Sequence, residues 1–308
     1  MGDHLLRLVI CLGFVLNGYQ TNDESFDLNI VNLTLVSNAV EKGAVCNDGS
    51  SAAYYYDPGF DDGVNNWFVT LQGGGWCTSD ETCTYRLTNG LGSSKYYNES
   101  VFFGEIKSTN QTVNPDFYNW NRIIVEYCDS SSFMGKSNHP KIISRGARIF
   151  YAVMEELLEK GMASAKNAIL SGTSAGGLSA ILHCDDFRVL LPFTSRVKCL
   201  VDSGFFIHAP KLLGAKRIEE YFANYGVATT KILSKVHRYC SSIGMFIHPC
   251  LRHGHFFQDS GWHASYKLRD KTIPEAVGDW FYDRSTRFQE IDNHKFPLSL
   301  NCTKLPTL

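Results

Sequence analysis

The chain has 308 residues and a formal net charge of −2, with 44% hydrophobic and 19% charged residues. These values exclude a disordered chain and leave no electrostatic case for binding nucleic acid or an acidic membrane surface. The length suits one large α/β domain or two small ones.

Residues 1–20 read as a secretory signal. Arg7 supplies the positive end, and Leu8 to Leu16 form an apolar run too short to span a bilayer. N-glycosylation sequons at Asn32, Asn98, Asn110 and Asn301, together with 10 Cys, point to an oxidising, extracellular destination. Cys11 would leave with the signal, and the odd number remaining leaves at least one thiol unpaired or abnormally paired. No repeat, low-complexity tract or Pro-rich linker divides residues 21–308, so they read as one domain.

Trp67 to Leu71 is a strand candidate that runs into Gly73-Gly74-Gly75-Trp76. Arg122 to Tyr127 is a second, leading into Cys128-Asp129-Ser130. Ile142 to Lys160 reads as a helix, with Ile149, Val153 and Leu157 on one face and Gly161 as its stop. Ala168 to Ser171, Val197 to Val201 and Gly244 to His248 are further strands, and Pro210 to Tyr225 is a helical stretch. Strands separated by helices imply an α/β fold, a mainly parallel sheet with helices on both faces. In such sheets chemistry gathers at the carboxyl ends of the strands. Three of those ends here carry unusual sequence.

The most informative is Gly172-Thr173-Ser174-Ala175-Gly176, a G-x-S-x-G pattern between a strand and the helical Gly177 to Leu182. Strand, sharp turn and helix are what a nucleophile elbow requires. Ser174 is the expected nucleophile, and the small neighbours give its strained backbone room. The backbone N–H of Ala175 and the glycine loop at Gly75 and Trp76 are expected to form an oxyanion hole. A phosphate-binding loop is a poor alternative, since no Lys-Ser/Thr follows the glycines. His253 follows the Gly244–His248 strand, comes after the serine in chain order and suits a general base on a loop. His248, His255 and His263 lie nearby. A zinc site from His253 and His255 has no placed third ligand, so no metal or cofactor is expected.

Val45-Cys46-Asn47-Asp48-Gly49-Ser50, Gly73-Gly74-Gly75-Trp76-Cys77, Asn114 to Asn121 and Gly172 to Gly177 together resemble the plant pectin acetylesterases. So do Phe187 to Pro192, Asp202-Ser203-Gly204-Phe205-Phe206 and Ala276-Val277-Gly278-Asp279-Trp280. The animal Notum carboxylesterases are similar but more distant. The likeness runs from about Val31 to Tyr225 and resumes near Gly244. The resemblance implies an α/β-hydrolase-like fold and secretion to the cell wall, where acetylated pectin is the partner and O-acetyl removal the activity. A monomer is expected. Ser174 matches the family nucleophile, Gly75, Trp76 and Ala175 its oxyanion-hole positions, and His253 its Cys-x-x-His histidine.

The family acid ends a strand in an Ala-Tyr-Asp-like segment, and this chain has none. No Asp occurs between Asp202 and Asp259. The resemblance breaks off after about Thr230, as an internal deletion would produce, and implies that a strand near the C-terminal side of the sheet is missing with the acid. Where the family has a further cysteine, this chain has Gly254. Asp202 ends a strand but matches a different family motif, and Glu219 and Glu220 sit on the helical stretch as solvated residues. Two other outcomes follow. The chain is a catalytically impaired isoform that retains carbohydrate binding at most, or a Notum-like enzyme removing lipid from protein, for which no large apolar pocket is evident.

Overall fold

The computed structural model describes residues 29–77, 79–136, 138–139, 142–204, 245–247, 253–254, 262, 267–286 and 288–291. Its strands are β1 (Ile30–Leu35), β2 (Ala53–Asp57), β3 (Asn66–Leu71), β4 (Ser100–Phe102), β5 (Asn121–Val125), β6 (Asn138–His139), β7 (Ile142–Ile143), β8 (Asn167–Thr173), β9 (Arg196–Asp202), β10 (Met245–Ile247) and β11 (Gln289–Ile291). Its α-helices are α1 (Ala39–Lys42), α2 (Asp80–Arg86), α3 (Gly146–Glu159), α4 (Ala175–Val189) and α5 (Ile273–Tyr282).

Seven strands form one sheet in the order β4-β1-β2-β5-β3-β8-β9. The half from β5 to β9 is parallel, as expected, and the half from β4 to β5 is antiparallel. Register brings the carboxyl ends of the parallel strands into one row. Leu71 lies opposite Val125 and Gly172, and Thr173 lies opposite Asp202.

Both faces of the parallel half are covered, which is why its strands read as continuous apolar runs. Trp67, Val69 and Leu71 face one core with Ile123, Val125, Ala168 and Leu170. Ile149, Phe150, Val153 and Leu157 of α3, and Ala180 and Phe187 of α4, close that core. Phe68 and Ile169 point the other way, against Phe117, Trp120 and the α5 residues Ile273, Val277 and Phe281. α5 opens with a capping box, in which Thr272 N–H and hydroxyl donate to Glu275 Oε2 at 2.8 Å each. Asp116 pairs with Arg284 just beyond its end, and a side chain on Gly278 would collide with Asp116. The Asn114–Asn121 and Ala276–Trp280 motifs are thus one packing unit, remote in sequence.

Three elements depart from expectation. The helix placed at Ile142 starts at Gly146, and Ile142–Ile143 pair instead with Asn138–His139. The reason is Asp129, fully buried, whose carboxylate sits where a Gly146 side chain would be and accepts from Phe133 N–H at 3.2 Å. An acid at the first helical residue fixes the start of α3. The second strand ends at Val125, short of Tyr127. Finally, the Gly244–His248 strand is found at Met245–Ile247, but it pairs in parallel with β11 outside the main sheet. Among the described residues β9 is therefore the last strand of the main sheet. Pro210–Tyr225 lies outside them.

Disulfides join Cys46 to Cys128, Cys77 to Cys83 and Cys184 to Cys199. The first closes a sequence separation of 82 residues, worth about 4.5 kcal/mol in the chain-entropy account. Cys11, Cys240, Cys250 and Cys302 are outside the described residues. No helix among these residues is long and apolar enough to cross a membrane.

His183 of α4 knits these pieces together. Its ring stacks on Phe150 of α3 at 3.9 Å, and Nε2 donates to the Phe133 carbonyl at 2.9 Å. Burial lowers its pKa, against the opposing pull of the Phe133 carbonyl and Asp186. The folded state therefore takes up this proton later than the unfolded chain. Its contribution is complete above about pH 6.5 and is lost as pH falls through the depressed folded value. Urea unfolding at pH 7.5 and 5.5 is expected to show a steeper acid loss for the wild type than for His183→Gln, although the variant is the less stable at pH 7.5. Equal losses would remove His183 as the source.

Candidate active site

Ser174 stands between β8 and α4 with φ 58° and ψ −124°. A non-glycine residue held there costs on the order of 1–3 kcal/mol, so its surroundings must impose the geometry. They do so by close backbone packing. A Cβ on Gly172 would collide with the Gly176 carbonyl, and one on Gly176 with the Leu71 carbonyl at the end of β3. Ser174 N–H donates to the Asp202 carbonyl at 2.9 Å, which ties the turn to the end of β9. Ser174 is partly exposed and its hydroxyl makes no capping bond, while Ala175 is the first helical residue. The hydroxyl is thus presented above the sheet beside the positive end of α4.

The glycine loop lies directly against it. A Cβ on Gly73 would come within 3.0 Å of Ser174 Cβ. The loop needs glycine for its path as well, since φ is +157° at Gly74 and +61° at Gly75. Two side chains orient its peptide planes. Arg86 Nη2 donates to the Gly74 carbonyl at 2.7 Å, and Tyr127 Oη donates to the Gly75 carbonyl at 2.8 Å. A carbonyl and the N–H of the next residue point in opposite directions across one planar unit. Holding these two carbonyls therefore fixes the Gly75 and Trp76 N–H groups, the two donors expected from sequence.

A further layer supports these holders. Ser132 N–H donates to Tyr127 Oη at 3.0 Å, and Trp76 Nε1 donates to Ser132 Oγ at 2.8 Å. Ser132 and Phe133 both have positive φ, so the acidic-serine loop is strained. It is anchored by buried Asp129 and by Asn47, whose Oδ1 accepts from Ser130 Oγ at 2.7 Å. Burial drives the Tyr127 phenol well above its usual pKa of 10.0, so it stays a donor. Sequence reasoning missed Arg86 and Tyr127. The only signal was that Tyr127 enters the acidic-serine loop at a strand end.

His253 is exposed, and among the described residues it makes no hydrogen bond to Ser174. Its backbone nevertheless arrives at the same row of strand ends. Gly254 N–H donates to Ser203 Oγ at 3.0 Å. A Cβ on Gly254 would lie 3.3 Å from Thr173 Cγ2 and 3.8 Å from Asp202 Oδ2. Catalytic hydrogen bonds are commonly long before substrate binds. The structure thus gathers Ser174, Ala175, Gly75 and Trp76, and brings the chain at His253 to their edge. His255 and Asn301 lie outside the described residues. Asn32, Asn98 and Asn110 are at least partly exposed, as glycan acceptors must be.

A family model described as pectinacetylesterase matches residues 25–242 and 219–303. The chain belongs to the pectinacetylesterase family. Pectin acetylesterase 7 of Arabidopsis thaliana is 44% identical over 258 residues, covering 80% of this chain and 66% of that protein. Pectin acetylesterase 11 of the same plant is 50% identical over 216 residues, covering 69% and 55%. The chain thus spans less than two thirds of the length of these relatives. Palmitoleoyl-protein carboxylesterase NOTUM of Mus musculus is 31% identical over 252 residues, or 48% of that protein. The alignment with Arabidopsis Pectin acetylesterase 5 runs over 347 positions yet uses 83% of this shorter chain, so that relative carries stretches this family member lacks. The two family-model segments overlap at residues 219–242, around the join expected at Thr230.

Loss of a whole oxyanion donor lowers kcat by about 10²–10³. Tyr127→Phe removes only the orientation of one, so kcat for any ester the protein hydrolyses is expected to fall about tenfold, with KM within about twofold. Steady-state kinetics check this, and an unchanged kcat would free the loop from control by Tyr127.

Proposed function

We propose that this chain is a secreted carboxylic ester hydrolase that removes O-acetyl groups from pectin (homogalacturonan) in the cell wall, acting as a monomer without metal or cofactor. The observation that carries the reading is the strained Ser174 turn pressed against a glycine loop whose two N–H groups are held in place. Ser174 Oγ attacks the acetyl carbonyl carbon while His253 takes its proton. Charge develops on the carbonyl oxygen, where Gly75, Trp76 and Ala175 N–H groups stabilise it. Collapse expels the sugar hydroxyl oxygen, which receives the proton from His253. Water, deprotonated by His253, then clears the acetyl-enzyme, releasing acetate and restoring Ser174.

Acetylated pectin is supported by the names of the relatives at 44% and 50% identity. Export is supported by the three disulfides and the accessible sequons. A second reading, a catalytically impaired isoform, is favoured by the overlap of the two family-model segments and by the exposed His253. One pair of assays separates them. Purified protein is expected to release acetate from acetylated pectin, with Ser174→Ala slower by a factor of about 10³ or more. A fluorophosphonate probe is expected to label the wild type at Ser174. Failure of both would establish the impaired isoform, and equal acetate release by the variant would remove Ser174 from the reaction.

A further inference from the structure

We propose that Asp202, at the end of β9, is the carboxylate that orients His253 in place of the acid the family carries elsewhere. The proposal rests on the reading of Ser174 and His253 as nucleophile and base. Four observations converge on it. Asp202 lies opposite Thr173 in register, one residue from the nucleophile, and its carbonyl accepts the Ser174 N–H. Its side chain belongs to the same row of strand ends and is buried, with 4% exposure. Ser203 Oγ donates to Asp202 Oδ1 at 3.0 Å and accepts from Gly254 N–H at 3.0 Å, a one-atom bridge from the carboxylate to the residue after His253. Oδ2, which accepts from Thr173 Oγ1 at 3.5 Å, lies 3.8 Å from where a Gly254 Cβ would stand, so the carboxylate is close to Gly254.

The Cα of His253 is one trans peptide, about 3.8 Å, from that of Gly254, so the imidazole hangs from the residue next to the one bridged to the carboxylate. Gly254 allows the approach. With φ +86° it follows a path that side-chain-bearing residues avoid, and a Cβ there would press on Thr173. Electrostatics favour the pairing, because a buried carboxylate is stabilised by an adjacent imidazolium, and the imidazolium forms only as Ser174 reacts. Asp202 touches neither substrate nor the reacting atoms, so it is a positioning residue. From Ser203 to Gln258 the only carboxylates are Glu219 and Glu220, which lie outside the described residues.

The test uses the full chain and acetate release from acetylated pectin. In serine proteases, exchange of the acid for its amide lowers kcat about 10⁴-fold. Asp202→Asn is expected to lower kcat by about 10³-fold or more, with KM within about threefold. Asp202→Ala is expected to lose activity similarly and to regain at least about tenfold on addition of sodium formate, which supplies a carboxylate to the vacated space. Formate is expected to do nothing for Ser174→Ala. Ser203→Ala keeps the carboxylate but cuts its bridge to Gly254, and is expected to lower kcat about tenfold, which keeps the test open if Asp202 variants fail to fold. Near-wild-type kcat in Asp202→Asn or Ser203→Ala, or a folded Asp202→Ala that formate does not rescue, overturns the proposal alone, provided Ser174→Ala is inactive. An active Ser174→Ala overturns the esterase reading and this proposal with it.

Discussion

The structure depends on one close approach, the carbonyls of Leu71 and Gly176 lying where side chains on Gly176 and Gly172 would otherwise be. Backbone packed this tightly leaves Ser174 no relaxed conformation, and its positive φ follows. The turn cannot hold itself there. Strain of a few kcal/mol at one residue persists only when the surrounding packing and hydrogen bonds resist its release. Two cores, one on either face of β3 and β8, fix the strand ends, and the Ser174–Asp202 backbone bond fixes the turn against β9. The same tightness recurs at the next residues, where Gly177 and Gly204 meet without room for a Cβ on either.

The glycine-loop side is built differently. Gly73 and Gly74 pack closely against Thr173, Leu91 and Tyr127, but glycine has no side chain to fix the turn of its own peptide planes. Its shape is imposed from outside, by Arg86 on one carbonyl and Tyr127 on the next. Each holder is itself held. Arg86 belongs to a helix stapled to the loop by Cys77–Cys83, and Tyr127 adjoins Cys128, bonded to Cys46. Asp129, one residue on, pins the acidic-serine loop and the start of α3 together. The two sides are thus held for different reasons: steric crowding around Ser174, directed hydrogen bonds around the glycine loop.

What could be read from the sequence follows from this difference. Crowding leaves a local mark, because it demands small residues at fixed offsets, so Gly172, Ser174 and Gly176 were legible together with their strand and helix. The parallel strands were legible because burial on two faces gives uninterrupted apolar runs such as Trp-Phe-Val-Thr-Leu. The antiparallel half was not. β2 reads Ala-Tyr-Tyr-Tyr-Asp and β4 has three residues, and neither shows a clear period. Arg86 and Tyr127 were not legible either, since a side chain that holds a distant carbonyl leaves no pattern around itself. The start of α3 is not legible because Ile142 and Ile143 are apolar like the helix face, while what sets it is remote, the pairing with Asn138–His139 and the Asp129 carboxylate beside Gly146. Asp202 was read as part of a motif rather than by its neighbours, and the bridge from Ser203 to Gly254 crosses a sequence gap of 51 residues.

The two cysteine pairs beside the glycine loop carry a redox consequence. Cys77 directly follows Trp76 and Cys128 directly follows Tyr127, so each crosslink adjoins a residue that belongs to the loop or holds one of its carbonyls. Reduction of either pair would free a residue beside the loop and loosen the hold on the Gly74 and Gly75 carbonyls, which makes the loop's shape a function of the redox state of its surroundings.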